Sequence, residues 1–255
     1  MRRWRDGRPL KRWRYVGAYC AELMLCAGDA WIGPLRQRFW ALATPDGRIR
    51  ERTALLGAGG VRLSGSELAI DGPGVRARLH VDEEAGVETL SAHGRSYIWT
   101  SKQGGVGIAG LVELDGRPLQ LECRGVVDDS AGYHARHTVW KWSAGVGTSE
   151  DGRAIAWNLV AGLHDAPVGS ERSVWVDGGS TEVGPVEFEG DLSAIRFHEG
   201  GSLHFGEWAA REDNTNALLL RSWYRQPFGT FTGTLPGGVT LREGYGVMES
   251  HDVRW

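Results

Sequence analysis

The segment Gly110-Leu-Val-Glu-Leu-Asp115-Gly116, then a strand-like run, then Gly125-Val-Val-Asp128, has a counterpart near the end of the chain. There the order is Gly233-Thr-Leu-Pro236-Gly237, another strand-like run, and Gly246-Val-Met-Glu249. Asp115-Gly116 and Pro236-Gly237 are offset by 121 residues, and so are Gly125-Val126 and Gly246-Val247 (236 − 115 and 246 − 125). The two stretches also open alike. Trp13-Arg-Tyr15 begins the first and Trp140-Lys-Trp142 the second, each followed by a turn and an apolar run, Glu22–Ala27 and Arg153–Val160. A constant offset of this kind marks a duplicated unit. Copies of about 120 residues are each the size of a small β-barrel or sandwich. The expectation is an all-β, pseudo-duplicated chain with an N-terminal unit over 1–135 and a C-terminal unit over 136–255.

Local patterning agrees with that class. Helical periodicity is nearly absent, and strand-length runs bounded by turn residues recur throughout. Arg38–Thr44 and Arg48–Ala54 flank Pro45-Asp46-Gly47. Val75–Val81 alternates apolar with polar residues, Leu111–Leu114 and Pro118–Cys123 flank Asp115-Gly116, and Ser173–Val176 leads into Asp177-Gly178. Asp-Gly pairs at 46–47, 71–72, 115–116, 151–152 and 177–178 are hairpin signals. The 38 glycines and 12 tryptophans of the 255 residues point to many tight turns around a roomy, aromatic-lined interior.

Composition excludes several partners. A net charge of −3 is too small to steer a polyanion, so nucleic acid is not expected. Cys20, Cys26 and Cys123 are odd in number and form no CxxC pair, which fits packing residues in a reducing cytoplasm better than a disulfide framework. No apolar run is long enough for a membrane span, and no apolar stretch follows the basic N-terminus as a secretory signal would require. Residues 2–14 hold seven basic residues with Trp4 and Trp13. This segment reads either as a solvated first strand or as a weak contact for an anionic membrane surface. Gly104-Gly105-Val106-Gly107 lacks the helix and Lys-Ser/Thr of a phosphate loop, so no cofactor is expected.

Two further stretches carry a family resemblance. Lys11-Arg-Trp-Arg-Tyr-Val-Gly17 with Glu22-Leu-Met-Leu-Cys26, and Gly125-Val-Val-Asp-Asp-Ser-Ala-Gly-Tyr-His134-Ala-Arg-His137-Thr-Val-Trp140-Lys-Trp142, resemble an uncharacterised bacterial family known as domain of unknown function 2804. Pro227–Gly233 and Gly244–Asp252 resemble its close. The layout is more loosely similar to a calycin-like group of carotenoid hydratases, decalin-forming Diels-Alderases and tocopherol cyclase. That group carries an Asp-His and a Trp-Asp-Trp where this chain has Asp128-Asp129 and Trp140-Lys141-Trp142. The resemblance implies two tandem lipocalin-like units and a pocket for a hydrophobic small molecule. The substitutions keep the group's hydratase or cyclase chemistry from transferring residue by residue.

The densest polar cluster is Asp128, Asp129, Tyr133, His134 and His137. Its functional reading has Asp128 or Asp129 protonating an alkene or carbonyl while His134 or His137 relays the proton. Its structural reading is a hydrogen-bonded crossover between the units. Adjacent strand residues point to opposite faces, so at most one of the two aspartates faces a cavity. The same argument, applied to i and i+3 on a strand, tells against His134 and His137 sharing a metal. Trp140, Trp142 and Trp157 are candidate ring contacts. Asn158 is a candidate ligand anchor, and His164-Asp165 is an anchor or a plain turn. Glu249 and His251 sit where the repeat places Asp128 and its neighbours, as a symmetry-related cluster or as a solvated last strand. Glu171-Arg172 reads as an ion pair or a cross-strand pair. Tyr224, between Arg221 and Arg225, is a candidate head-group contact. Three functions fit these residues: acid–base hydration, isomerisation or cyclisation of an apolar substrate; carriage or sensing of a lipid-like or isoprenoid-like molecule; and glycan binding or hydrolysis.

Overall fold

In the computed structural model, which describes every residue except Leu56, Ala58, Leu218, Leu219 and Trp255, alternating sequence becomes alternating burial. Along Val75–Val81 each apolar side chain is buried and each polar one exposed, so one face of the strand meets a core. A small hairpin of β1 (Trp4–Arg5) and β2 (Arg8–Pro9) precedes the main sheets. The first sheet contains β3 (Lys11–Tyr19), β4 (Met24–Ile32), β5 (Leu35–Ala43), β6 (Ile49–Leu55), β7 (Val61–Ser64), β8 (Glu67–Gly72), β9 (Val75–Val81), β10 (Val87–His93), β11 (Ser96–Leu114) and β12 (Arg117–Gly132). The second contains β13 (His137–Ser149), β14 (Ala154–Ala161), β15 (Ser173–Val176), β16 (Gly179–Glu182), β17 (Val186–Phe188), β18 (Ala194–Phe197), β19 (Ser202–Ala217), β20 (Leu220–Leu235) and β21 (Val239–Arg254). Among the described residues the one helical turn is Pro236–Gly238, and no helix is long and apolar enough to cross a membrane.

Both sheets follow one plan. Their orders are β6-β5-β4-β3-β12-β11-β9-β8-β7, with β10 added on β11, and β16-β15-β14-β13-β21-β20-β19-β18-β17. In each, the first long strand pairs antiparallel with the last, β3 with β12 and β13 with β21. The edge strands curl inward, so that β7 packs back against β4 and β5, and β17 against β14. The result is two curled half-barrels.

The repeat glycines explain themselves at the paired strands. A Cβ on Gly125 would lie 2.0 Å from the Gly17 carbonyl oxygen, and one on Gly246 would lie 2.3 Å from that of Ala144. Asp115-Gly116 and Asp177-Gly178 form turns with φ of 50° and 80°, and 49° and 83°, as the Asp-Gly signal predicts. Asp71-Gly72 departs from it. Both residues remain in β8, and Pro73-Gly74 makes the turn, because Gly72 lies against the Trp40 ring, whose nearest carbon would meet its Cβ at 2.1 Å.

Three apolar clusters result. One fills the first half-barrel around Val16, Trp40, Leu68 and Val127, and another fills the second around Trp157, Ile195, Phe231 and Met248. The third lies between the sheets and joins Tyr15, Tyr19, Met24 and Cys26 to Trp142, Trp175, Phe228 and Val247. Alternation along β3 sorts its residues between clusters, with Val16 and Ala18 inside the half-barrel and Tyr15 and Tyr19 at the junction. Gly125→Ala and Gly246→Ala each force two backbones apart. Each is expected to cost about 1–3 kcal/mol, with Tm falling by about 2–12 °C in a thermal melt.

Candidate functional site

The sequence suggests a ligand site inside a barrel, but the half-barrels are filled by their own side chains. An open-mouthed cavity lies between them instead, against the junction cluster. It is a cavity of about 160 Å³, walled by Tyr15, Phe39, Lys102 and Asp128 of the first sheet. The second sheet contributes Trp140, Trp142, Arg211, Tyr224, Glu249 and His251, and the 162–172 segment adds His164 and Glu171. This volume is close to that of a cavity that holds one benzene ring, about 150 Å³. Both units therefore contribute to its wall.

Two of its carboxylates occupy equivalent places in the repeat. Asp128 lies on β12 opposite Tyr15, and Glu249 lies on β21 opposite Trp142. Tyr15 and Trp142 meet edge to face, with ring centroids 5.4 Å apart. The neighbours of the two acids differ. Lys102 sits across from Asp128 on β11, and its Nζ lies 2.6 Å from Asp128 and 3.4 Å from Glu171. Burial works against the Lys102 ammonium, but the two carboxylates override it and hold its pKa above the ordinary lysine value. Asp128 is pushed up by burial, pulled back by Lys102 and pushed up again by Glu171.

Glu249 has no ammonium partner and instead accepts three hydrogen bonds from neutral donors. Trp140 Nε1 donates to Oε1 at 2.7 Å, while Tyr224 Oη and Gln226 Nε2 donate to Oε2 at 3.0 and 3.2 Å. Burial pushes this carboxyl up to about 7, against the pull of those donors. One acid of the pair is therefore coupled to a cation, and the other holds its proton near neutrality. Such a divergence of environments separates acid and base roles in enzymes.

Cations and rings complete the wall. The Arg211 guanidinium is sandwiched between the Phe39 and Tyr224 rings at 4.3 and 4.8 Å, and it donates to Thr53 Oγ1 at 2.8 Å. His251 Nε2 lies 2.8 Å from Ser222 Oγ, and its ring centroid is 4.4 Å from that of Trp140. Burial, with Arg211 nearby, pulls His251 down to about 3. Burial, with Lys102 nearby, does the same to His164. His164 adopts a left-handed φ of 55°, and neither of its ring nitrogens has a hydrogen-bond partner among the described residues. Asp165 beside it does make the turn foreseen from sequence, accepting from the Gly162 N–H at 2.7 Å.

Several residues singled out from sequence lie away from the cavity wall. β12 continues to Gly132, so Asp128 and Asp129 fall within the strand rather than at its end. Alternation sends Asp129 to the other face, where Arg14 Nη1 holds it at 2.6 Å, and burial pushes it up to about 6. His134 is buried in the connection to β13 against Trp13, with ring centroids 4.9 Å apart. Burial pulls its pKa well below the usual value. His137 begins β13 at the surface and meets Asp252 at 2.8 Å. Tyr133 donates its hydroxyl to the Arg2 carbonyl at 2.7 Å. Trp157 belongs to the second half-barrel core and donates to Ser143 Oγ at 3.1 Å. Asn158 touches the site only through others. It accepts from Trp142 Nε1 at 2.8 Å and donates to the Glu171 carbonyl at 2.8 Å. Glu171 does not pair with Arg172, which donates to the Val183 and Ala166 carbonyls instead. In the N-terminal basic segment, by contrast, residues 11–14 do border the cavity; Lys11 is buried and Arg14 is ion-paired with Asp129 and Glu83, so a uniformly solvated strand is not what forms.

Lys102, Arg211 and Tyr15 escape the sequence reading as site residues, and Glu171 enters it only as a pair with Arg172. For Lys102 a signal exists, since alternation places it on the same side of β11 as the buried Ile98 and Thr100. Arg211, within Arg211-Glu-Asp-Asn-Thr, carries none. Among the described residues no three His, Cys, Asp or Glu side chains converge to hold a metal ion.

Two consequences follow for stability. Lys102→Met leaves Asp128 and Glu171 buried without a counter-charge, an expected loss of about 3–5 kcal/mol in urea unfolding. Adding Asp128→Asn and Glu171→Gln should recover much of it. Glu249 has a folded-state pKa above its unfolded value, so its stabilising contribution is full below about pH 4.3 and is lost as pH rises through about 7. Glu249→Gln should therefore gain on the wild type by on the order of 2–3 kcal/mol between pH 4 and pH 8, read as a change in the gap between their unfolding midpoints.

The fold recurs in solved structures of low sequence identity. A protein described as a putative AttH from Nitrosomonas europaea aligns over 94% of this chain and 91% of its own, with 13% identity and a TM-score of 0.62. Kievitone hydratase from Nectria haematococca aligns over 93% and 88%, with 10% identity and a TM-score of 0.61. CghA aligns over 96% and 88%, with 10% identity and a TM-score of 0.51. These similarities establish a lipocalin-like fold. No curated protein matches the sequence. The model of the family described as "Domain of unknown function (DUF2804)" matches residues 57–255, and the chain belongs to that family.

Proposed function

We propose that the protein binds a largely apolar, isoprenoid- or lipid-like small molecule between its two half-barrels and acts on it by proton transfer. The observation that carries this reading is the environment of Glu249: a buried carboxyl on the wall of an aromatic cavity, with a pKa near 7. In its protonated form it can deliver a proton to an alkene carbon or a carbonyl oxygen held against the rings. The carboxylate left behind is stabilised by the three donors already in place, Trp140, Tyr224 and Gln226. Positive charge developing on the substrate would be sheltered by the indole faces of Trp140 and Trp142. Water addition then gives a hydration, proton loss an isomerisation, and attack by a second double bond a cyclisation. The recurrence of the fold in a kievitone hydratase is consistent with the first of these.

The second reading is a carrier that holds the same kind of molecule without changing it. It is favoured by the fact that both oxygens of Glu249 are already engaged by protein donors.

The test is native mass spectrometry of the purified protein, organic extraction of whatever accompanies it, and incubation with isoprenoid and fatty-acyl probes. A bound apolar molecule converted to a hydrate, isomer or ring product supports the enzyme. Glu249→Gln should then retain binding and lose roughly 100-fold or more in turnover. Binding without conversion by the wild type selects the carrier. An apo mass with no uptake of any probe overturns both.

A further inference from the structure

The cavity occupies one end of β3, where Lys11 to Tyr15 line it, and a pair of cysteines stands at the other end of the same strand. Tyr19, the last residue of β3, pairs with Arg124 of β12, and the next step of this antiparallel register sets Cys20 opposite Cys123. Alternation puts both on the face that carries Val16, Ala18 and Val127, and both pack against that core. Cys20 gives its own N–H to the Leu23 carbonyl at 3.2 Å, on the β4 side. The pair is therefore not bridged by backbone hydrogen bonds, and unbridged antiparallel positions bring their Cα atoms to about 4.5 Å. Disulfides span Cα separations of about 4.4–6.8 Å. The two thiols are free and in hydrogen-bonding contact with each other. Both residues are half-buried and border an open cleft of about 550 Å³, which shares no wall residue with the ligand cavity.

From this juxtaposition we propose that Cys20 and Cys123 form a dithiol site that exchanges with small disulfides and closes to a cross-strand disulfide. The contact makes the two thiols unequal. The hydrogen bond from Cys123 pulls the Cys20 thiol down against the opposing effect of burial, and the same bond together with burial pushes Cys123 up. A thiolate rather than a thiol attacks a disulfide, so Cys20 is the attacking sulfur and Cys123 the resolving one. Cys26 provides the contrast: it is fully buried in the junction cluster, and burial pushes its thiol up to about 12. The Cys20 thiolate attacks one sulfur of the small disulfide, whose S–S bond breaks, and the departing sulfur takes up the proton that Cys20 gave up. Cys123 then attacks Cys20 Sγ in the mixed disulfide, and the second half leaves with the Cys123 proton. Two electrons pass from the paired cysteines to the small disulfide, which becomes two thiols. The site lies about 16 Å along β3 from Tyr15, so it stands independently of the ligand reading.

The experiment incubates the reduced full chain with oxidised glutathione, quenches in acid, blocks the remaining thiols with N-ethylmaleimide in denaturant and maps the peptides by mass spectrometry. The wild type is expected to fall from three alkylated cysteines to one, Cys26, with Cys20 joined to Cys123 and no glutathione retained. Excess reduced glutathione should restore alkylation of all three, because the exchange is reversible. Cys123→Ser should stop at glutathione on Cys20, whereas in Cys20→Ser the capture of glutathione by Cys123 should be slower by about tenfold or more. A wild type that keeps three alkylated cysteines, that accumulates glutathione adducts without the internal bond, or that links two chains instead, overturns the proposal. Closure of the internal bond in the wild type with equal glutathione capture by the two serine variants overturns the assignment of Cys20 as the attacking sulfur.

Discussion

Lys102 is a buried ammonium shared between a carboxylate of its own sheet, Asp128, and one from the connection between β14 and β15 of the second half, Glu171. Taking three charged groups out of water costs several kcal/mol per ion, and only close mutual contact offsets it. The two half-barrels must therefore keep a fixed separation at this point. Asn158 reinforces the arrangement, because it holds the Glu171 main chain with one end and Trp142 with the other. The ion cluster, the indole and the edge-to-face contact of Trp142 with Tyr15 make one continuous support for the cavity. Thr89, which donates to the Ser170 carbonyl at 3.3 Å, ties the same segment to β10.

Duplication provides a route to asymmetric chemistry. The two halves supply equivalent acids at Asp128 and Glu249, but they place different residues beside them. Where the first half has Lys102, the second has Gln226. An ammonium 2.6 Å away favours the ionised form of Asp128, whereas an amide donor does far less to offset the desolvation of Glu249. A single difference in charge between the repeats thus divides one kind of carboxyl into two environments. The cavity between them belongs to both copies, so neither half alone would contain it.

The region around Asp128 to His137 illustrates how a sequence cluster disperses. Ten consecutive positions contain two aspartates, a tyrosine and two histidines. The strand pleat sends Asp128 and Asp129 to opposite faces, and the connection after Gly132 carries His134 inward while His137 starts a new strand at the surface. Of these five residues only Asp128 reaches the cavity. Proximity along a chain of this class is a poor guide to proximity in space, because each step along a strand reverses the side chain.

The sequence by itself determined the class of fold and the duplication, since turn dipeptides, period-two alternation and a constant offset are local or arithmetic properties of the chain. It also marked Asp128, Glu249, Trp140, Trp142, Tyr224, His164 and His251, because aromatic and ionisable residues in apolar strands are conspicuous. Only the tertiary structure decided that the cavity lies between the half-barrels, that Asp128 rather than Asp129 faces it, and that Lys102, Glu171 and Arg211 complete it. The physical reason is that these partners come from strands and loops far apart in sequence. Their charges carry meaning only once burial has removed the water that would otherwise screen them.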